Sequence, residues 1–262
     1  MSMLDLHLRF HPLTSHPFDM EDCREVPPCT LLHPYVRCFW GPVARKYSLV
    51  VPDACADIII VTEGQRMRIS FCPVDNAPFH SHSVMENMFG VRFYLWALPY
   101  FQVGGEFNEE SFPDLYAYLL REGFLEADFD RRQAIMECYL VRRLDKAAVP
   151  GGILDGLDLL VRCHGSVSVR EAAAHMSVST RTAERLFRRH TGLSPKEVAE
   201  VIRYQTLWRR ALTQPRFDLL EQVEALGYCD QSHLLNNFRK FHGMPLHEAV
   251  RMAKDVAFLQ DG

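Results

Sequence analysis

The sequence predicts an α+β chain in three parts: a mainly-β domain over residues 1–111, a helical segment over 112–150, and an all-α domain over 151–262. Three observations predict this order. Apolar runs rich in β-formers, broken by Pro, Asp and Gly, fill the N-terminal part. Helical periodicity takes over from about Phe112. The last third then repeats one helix-turn-helix pattern, with Phe187 and Phe238, and Gly192 and Gly243, each 51 residues apart.

In the first part, Ser48 to Val51, Asp57 to Thr62, Met67 to Cys72 and Phe89 to Trp96 read as strands, with Pro52-Asp53 and Glu63-Gly64 as turns between them. Several short strands at this spacing suggest a small sandwich or barrel. Leu115, Leu119 and Leu120, then Ile135, Cys138, Tyr139 and Leu140, fit two amphipathic helices. Pro150-Gly151-Gly152 reads as a hinge into the last part.

Helix starts in the last part follow from capping boxes, in which a Ser or Asp cap precedes a Glu by three residues. Ser168 with Glu171, Ser194 with Glu197, and Asp218 with Glu221 place helices near 169–175, 195–212 and 219–226. Pro195 takes the first helical position of the middle one. Ser179 and Asp230 are natural caps for a second helix in each unit. At about 100° per residue, Ala183, Leu186 and Phe187 fall on one face of the first such helix, and Arg181, Arg185 and Arg188 on the other. Guanidinium groups pair with guanine edges and phosphates, and a helix fits the major groove, so this face reads as a DNA-contacting surface. A solvated charged face is the alternative. The middle helix, at 1.5 Å per residue, spans roughly 27 Å, which approaches the ~34 Å between successive major-groove faces.

Charge separates the two units. Residues 162–216 carry eleven Lys and Arg against four Glu, whereas 217–243 carry two against four acidic residues. The first unit is therefore expected to supply most of the salt-dependent affinity, and the second to add polar readout. The whole chain of 262 residues has a net charge of −4 and is 48% hydrophobic, which suits a two-domain protein with full-sized cores. No apolar run is long enough to span a bilayer and no signal peptide stands at the N-terminus, so a cytoplasmic protein is expected, without a membrane partner. Eight cysteines without a C-x-x-C pair argue against a zinc knuckle or a disulfide framework. No nucleophile elbow, phosphate-cradling loop or H-E-x-x-H motif is present, and no enzyme activity, cofactor or metal is expected.

At Ala173, Ser179, Arg181, Arg185, Phe187, Gly192, Ser194, Pro195 and Arg203, and again at Gly227, Tyr228, Asp230, Gln231, Ser232, His233, Phe238, Arg239 and Gly243, the chain resembles the AraC/XylS family of transcription regulators. The resemblance covers about residues 155–250. It implies two helix-turn-helix units bridged by a linker helix and an N-terminal sensor domain that is cupin-like or of a less characterised type found in one branch of the family. The expected function is a sequence-specific regulator on double-stranded DNA, controlled by a small-molecule effector. A homodimer formed through residues 112–148 is expected, with RNA polymerase as a further expected partner. Activation is the expected mode, while the residues themselves do not distinguish activation from repression. The candidate DNA-contacting positions are Thr180, Arg181, Thr182, Arg185, Arg188, Gln231, Ser232, His233, Asn236 and Lys240. Ser177 departs from the pattern, standing where a turn glycine is frequent, and so do Gln222 and Val223, standing where an apolar residue and an alanine are usual.

In the sheet domain, Trp40, Asp57, Arg92, Tyr94 and Trp96 are candidate effector contacts, Arg92 and Asp57 being the polar anchors; with Phe93, Tyr100 and Phe101 the aromatic residues serve equally well as core. His80, His82 and Glu86 have the H-x-H-x-x-x-E spacing of metal cupins, which would make the chain a metal-dependent enzyme fused to a DNA-binding domain; the surrounding glycines and a second histidine motif are missing, and an exposed loop is preferred. A third reading is an adaptor that binds a partner protein through the sheet domain and touches DNA weakly.

Overall fold

The computed structural model of the protein describes residues 6–13, 23–43, 48–81, 87–101, 114–145 and 151–260. A sheet-rich region is followed by helices, and a C-terminal all-helical domain closes the chain. After a short helix α1 (Leu6–Arg9) come strands β1 (Cys23–Val26), β2 (Val36–Val43), β3 (Ser48–Val50), β4 (Cys55–Glu63), β5 (Arg66–Cys72), β6 (Phe79–Ser81) and β7 (Met88–Tyr94). Five strands form one antiparallel sheet in the order β1-β2-β7-β4-β5, and β3 pairs with β6 in a separate two-stranded ribbon. The sheet-domain helices α2 (Leu98–Phe101), α3 (Leu115–Arg121) and α4 (Phe129–Arg143) follow.

Strand alternation divides the large sheet into two faces. Phe39, Ile58, Ile60, Phe89, Val91 and Phe93 point to one side and are buried. There Phe89 meets Phe124 edge-on at 5.5 Å and Phe129 at 5.3 Å, so the start of α4 and the turn before it close this core. The other side carries Cys38, Trp40, Arg92, Tyr94, Cys55 and Asp57, placed together by the pairing of Cys38 and Asp57 with Arg92 and of Cys55 with Tyr94.

Three of the strand readings agree with β3, β4 and β5, and the fourth ends at Tyr94, because residues 95–97 turn back and the Trp96 indole donates to the Pro34 carbonyl at 2.9 Å. Strands β1, β2 and β6 have no counterpart in the sequence reading. Of the residues assigned to the apolar faces of α3 and α4, Leu115, Leu119, Ile135, Tyr139 and Leu140 are buried, while Leu120 and Cys138 are exposed. The expected hinge is corrected in part. Gly151 and Gly152 form the first turn of helix α5 (Gly151–Arg162), which packs against three later helices, and Pro150 lies outside the described residues.

The remaining helices are α6 (Val169–His175), α7 (Thr180–Thr191), α8 (Pro195–Thr213), α9 (Leu219–Ala225), α10 (Gln231–His242) and α11 (Leu246–Gln260). The sequence reading anticipated neither α5 nor α11. Both capping boxes at Ser168–Glu171 and Ser194–Glu197 are present with all reciprocal bonds. At the third, Asp218 accepts from the Leu220 and Glu221 backbone N–H groups, and its cap is one-sided. Ser179 and Asp230 cap α7 and α10, accepting from Thr182 N at 3.2 Å and His233 N at 2.7 Å. The turn of the first unit places Ser177 at φ +57°, where the second unit has Gly227 at φ +66°. An L-residue in this conformation costs about 1 to 2 kcal/mol, so the departure at Ser177 is a locally strained turn held by the bonds of Ser177 N to Ala174 O and Val178 N to Ala173 O, both 3.0 Å.

Candidate nucleic-acid interface

Helices α7 and α10 bury equivalent faces. Ala183, Phe187, His190 and Thr191 are buried on α7, and Leu234, Phe238, Phe241 and His242 on α10. With those faces held inward, the 51-residue register pairs Arg181 with Ser232, Arg185 with Asn236 and Thr180 with Gln231 on the outward sides, and all six are exposed. Thr182 and His233 also correspond, and both are engaged in their turns: Thr182 Oγ1 lies 3.0 Å from Ser179 Oγ, and His233 packs edge-on against Tyr228 at 5.3 Å.

The outward cations differ in their surroundings. Linker helix α8 sets a carboxylate beside each outer helix: Glu197 lies 3.7 Å from Arg188, and Glu200 lies 2.9 Å from Lys240. Bonds from the Ser194 side chain and backbone hold the Glu197 carboxyl below its usual range. Arg181, Arg185 and Arg189 have no carboxylate within 4 Å among the described residues, and all three are exposed. Arg189 and Arg239 are absent from the sequence-derived set, yet they are the register equivalents of Lys240 and Arg188, so the repeat itself carried the signal that would have found them.

One residue of α8 reaches both units. Arg203 donates to the Gly165 carbonyl from Nε at 3.2 Å and Nη2 at 2.6 Å, and its guanidinium lies over the Tyr228 ring at 5.1 Å. One side chain thus joins the turn after α5 to the turn before α10. Gln222, which departs from the family pattern, is buried, and its Oε1 accepts from Arg210 Nη1 at 3.0 Å. A polar residue is tolerated there because α8 supplies its partner.

The candidate effector residues form a different arrangement. The Arg92 guanidinium lies 3.1 Å from Asp57 and 3.2 Å from Glu25, over the Trp40 ring, whose Nε1 donates to Asp57 at 2.7 Å. Tyr94 and Trp96 stack at 4.5 Å, and both are buried. The two polar anchors therefore face each other, and the aromatic pair belongs to the core. His80 is exposed in β6, while His82 and Glu86 lie outside the described residues. Among the described residues no group of His, Cys, Asp or Glu could hold a metal ion, and no helix is long and apolar enough to cross a membrane.

Asp75 borders this acidic cluster. Burial, followed by the charges of Asp53 and Asp57, pushes its carboxyl from 3.8 up to about 6. A raised folded-state pKa means that the folded form holds the proton more tightly, so this contribution is fully favourable below about pH 4 and is lost as pH rises toward about 6. Asp75→Asn should therefore stabilise the chain at pH 8 more than at pH 4.5. Thermal unfolding at both pH values checks this, and an equal change at both overturns it.

Residues 172–252 match the Helix-turn-helix domain family. No curated protein matches the chain. Among solved structures, a transcriptional regulator with an AraC-type DNA-binding domain from Chromobacterium violaceum is 17% identical, over 39% of this chain and 92% of its own, with a TM-score of 0.35. ToxT from Vibrio cholerae O395 is 11% identical over 84% of this chain and 93% of its own, with a TM-score of 0.40. The same protein bound to (E)-4-(8-methylnaphthalen-1-yl)but-3-enoic acid is 11% identical over 78% and 88%, with a TM-score of 0.41.

Proposed function

We propose that this chain, whose residues 172–252 are a helix-turn-helix domain of the AraC type, is a cytoplasmic, sequence-specific transcription regulator that places α7 and α10 in adjacent major grooves of one duplex. The observation that carries the reading is the register. Two helices bury corresponding apolar faces, expose corresponding polar ones, and are braced by the same linker helix. The first unit supplies most of the affinity through Arg181, Arg185 and Arg189, and the second reads bases through Gln231, Ser232 and Asn236. Arg188 and Lys240, paired with α8, contribute less than their charge suggests, and Thr182 and His233 set helix entry.

Control by the N-terminal domain is part of this reading. It is supported by contacts that join the sheet domain to the linker helix: Gln205 of α8 donates to the carbonyls of Leu13 and Pro52, accepts from Leu13 N, and so fastens two N-terminal segments. Asn76 reaches Glu197 at 3.4 Å, and α2 packs on α7. Exposed Tyr116, Leu120 and Val141 on α3 and α4 support pairing of two copies through that segment.

Selecting duplexes from a random pool should enrich a site that spans two adjacent major grooves. On that site Arg185→Ala should lower affinity by about 1 to 3 kcal/mol, roughly 5- to 150-fold, with Asn236→Ala costing less and leaving the salt dependence unchanged. Equal losses from the two substitutions would refute the division between the units. A pool with no enrichment would remove the regulator reading itself.

A further inference from the structure

A recessed surface lies apart from the recognition helices. The end of α1 and the residues after it face the C-terminal half of α8 across a crevice of about 220 Å³. Its wall contains Arg9, His11, His164, Arg209 and Arg210, with Phe10 as the one Phe, Tyr or Trp contributor; the rest is amide and hydroxyl side chains of α8 and its C-cap, and among the described residues no carboxylate lines it. We propose that this crevice binds a compact polyanion bearing phosphate or carboxylate groups and that the bound anion clamps the N-terminal segment onto the linker helix.

The charge balance carries the argument. Asp158 lies 3.4 Å from Arg9 but is shared with Arg162, which it meets at 2.7 Å. Arg210 is held by the neutral Gln222 amide, which satisfies an N–H without cancelling the charge. Arg209 is exposed, with no ion pair within 4 Å among the described residues. Burial first, then the Arg210 charge, lowers the His164 pKa, which places those two groups in one field. Three guanidinium groups around one recess repel each other unless an anion sits among them. Guanidinium forks also match carboxylate and phosphate oxygens in pairs.

Size and polarity narrow the class. The volume is below the ~300 to 1,000 Å³ of sites for drug-sized ligands, and a wall with one Phe, Tyr or Trp residue has nowhere to bury a long hydrocarbon chain. The position gives the consequence. Gln205 lines the same crevice and already fastens Leu13 and Pro52 to α8, so an anion bound there would strengthen the seam that joins the sheet domain to the linker helix. This regulatory consequence rests on the DNA-binding reading; the binding itself does not.

Calorimetric titration of the full chain without DNA, at constant ionic strength, tests it with citrate and pyrophosphate as probes and hexanoate as a comparator. Saturable binding of citrate or pyrophosphate is expected, weakened at least tenfold by Arg209→Gln and by Arg9→Gln, and kept within a few-fold by Arg209→Lys. Which probe binds more tightly separates carboxylate from phosphate chemistry. Absence of saturable heat, tighter binding of hexanoate, or binding indifferent to both Gln substitutions would each overturn the proposal. So would an Arg209→Gln variant that loses duplex affinity while keeping citrate binding, because that guanidinium would then serve DNA phosphates. Citrate binding without any duplex binding would strike the regulator reading and leave the crevice standing.

Discussion

Replacing Gly165 with alanine is expected to lower the stability of the DNA-binding half by roughly 2 to 5 kcal/mol and to remove most of its duplex affinity. Gly165 sits at φ +73°, where an L-residue costs about 1 to 2 kcal/mol, and an added Cβ would run into the Ala199 carbonyl oxygen on the backbone of α8. Overpacking against a backbone that cannot rotate away adds about 1 to 3 kcal/mol. The carbonyl that Arg203 grips belongs to this same residue, so any relief by backbone movement loosens a group that reaches both units from the linker helix. Gly192 is an internal comparator. It has φ +76° but nothing within 4 Å of an added Cβ, so Gly192→Ala should show the conformational cost alone. Denaturant unfolding and duplex binding of the two variants separate the terms. Equal losses would mean that the close approach to α8 contributes nothing.

What the sequence made legible, and what it hid, follows from how far apart the interacting residues lie. The helix-turn-helix units were readable because their signals are local. A serine accepts a bond from the residue three places on, a glycine ends a helix, and apolar side chains recur at helical spacing, all within one or two turns. Ser168, Ser194, Ser179 and Asp230 therefore cap the helices they were expected to cap. Helix α5 was missed because its opening glycines read as a hinge, although Ile153, Leu157, Leu160 and Val161 recur at helical spacing and are buried. Strands β1 and β2 were missed because their sequences lack clean alternation; cross-strand pairing, with β7 between β2 and β4, decides their place. The same holds for the candidate sites. The outward faces of α7 and α10 followed from periodicity, whereas the carboxylates that α8 sets beside Arg188 and Lys240 come from a separate helix. Arg92 and Asp57 were identifiable as polar anchors among the aromatic residues of the sheet domain, but that they would face each other depends on strand order, which no local pattern reveals.

That pairing gives the second large effect. Arg92→Met is expected to cost about 3 to 5 kcal/mol, since removing one partner of a buried ion pair leaves the other uncompensated. Arg92 is 7% exposed, its guanidinium serves Asp57 and Glu25 at once, and it lies 3.8 Å from Asp53 as well. Burial already raises the Asp57 carboxyl, and the guanidinium is the largest influence opposing that rise. Without it the folded-state pKa climbs further above the unfolded value, so the variant is penalised least where Asp57 is protonated and most where it must ionise. The loss should therefore grow between pH 5 and pH 8, the opposite of a simple cavity, whose cost does not depend on pH. Arg92→Lys should fall between wild type and Arg92→Met, because one ammonium cannot reproduce the fork that meets two carboxylates. Urea unfolding of both variants across that pH range is the measurement. A pH-independent loss below about 1 kcal/mol, the range of exposed ion pairs, would show that water rather than Arg92 carries these charges.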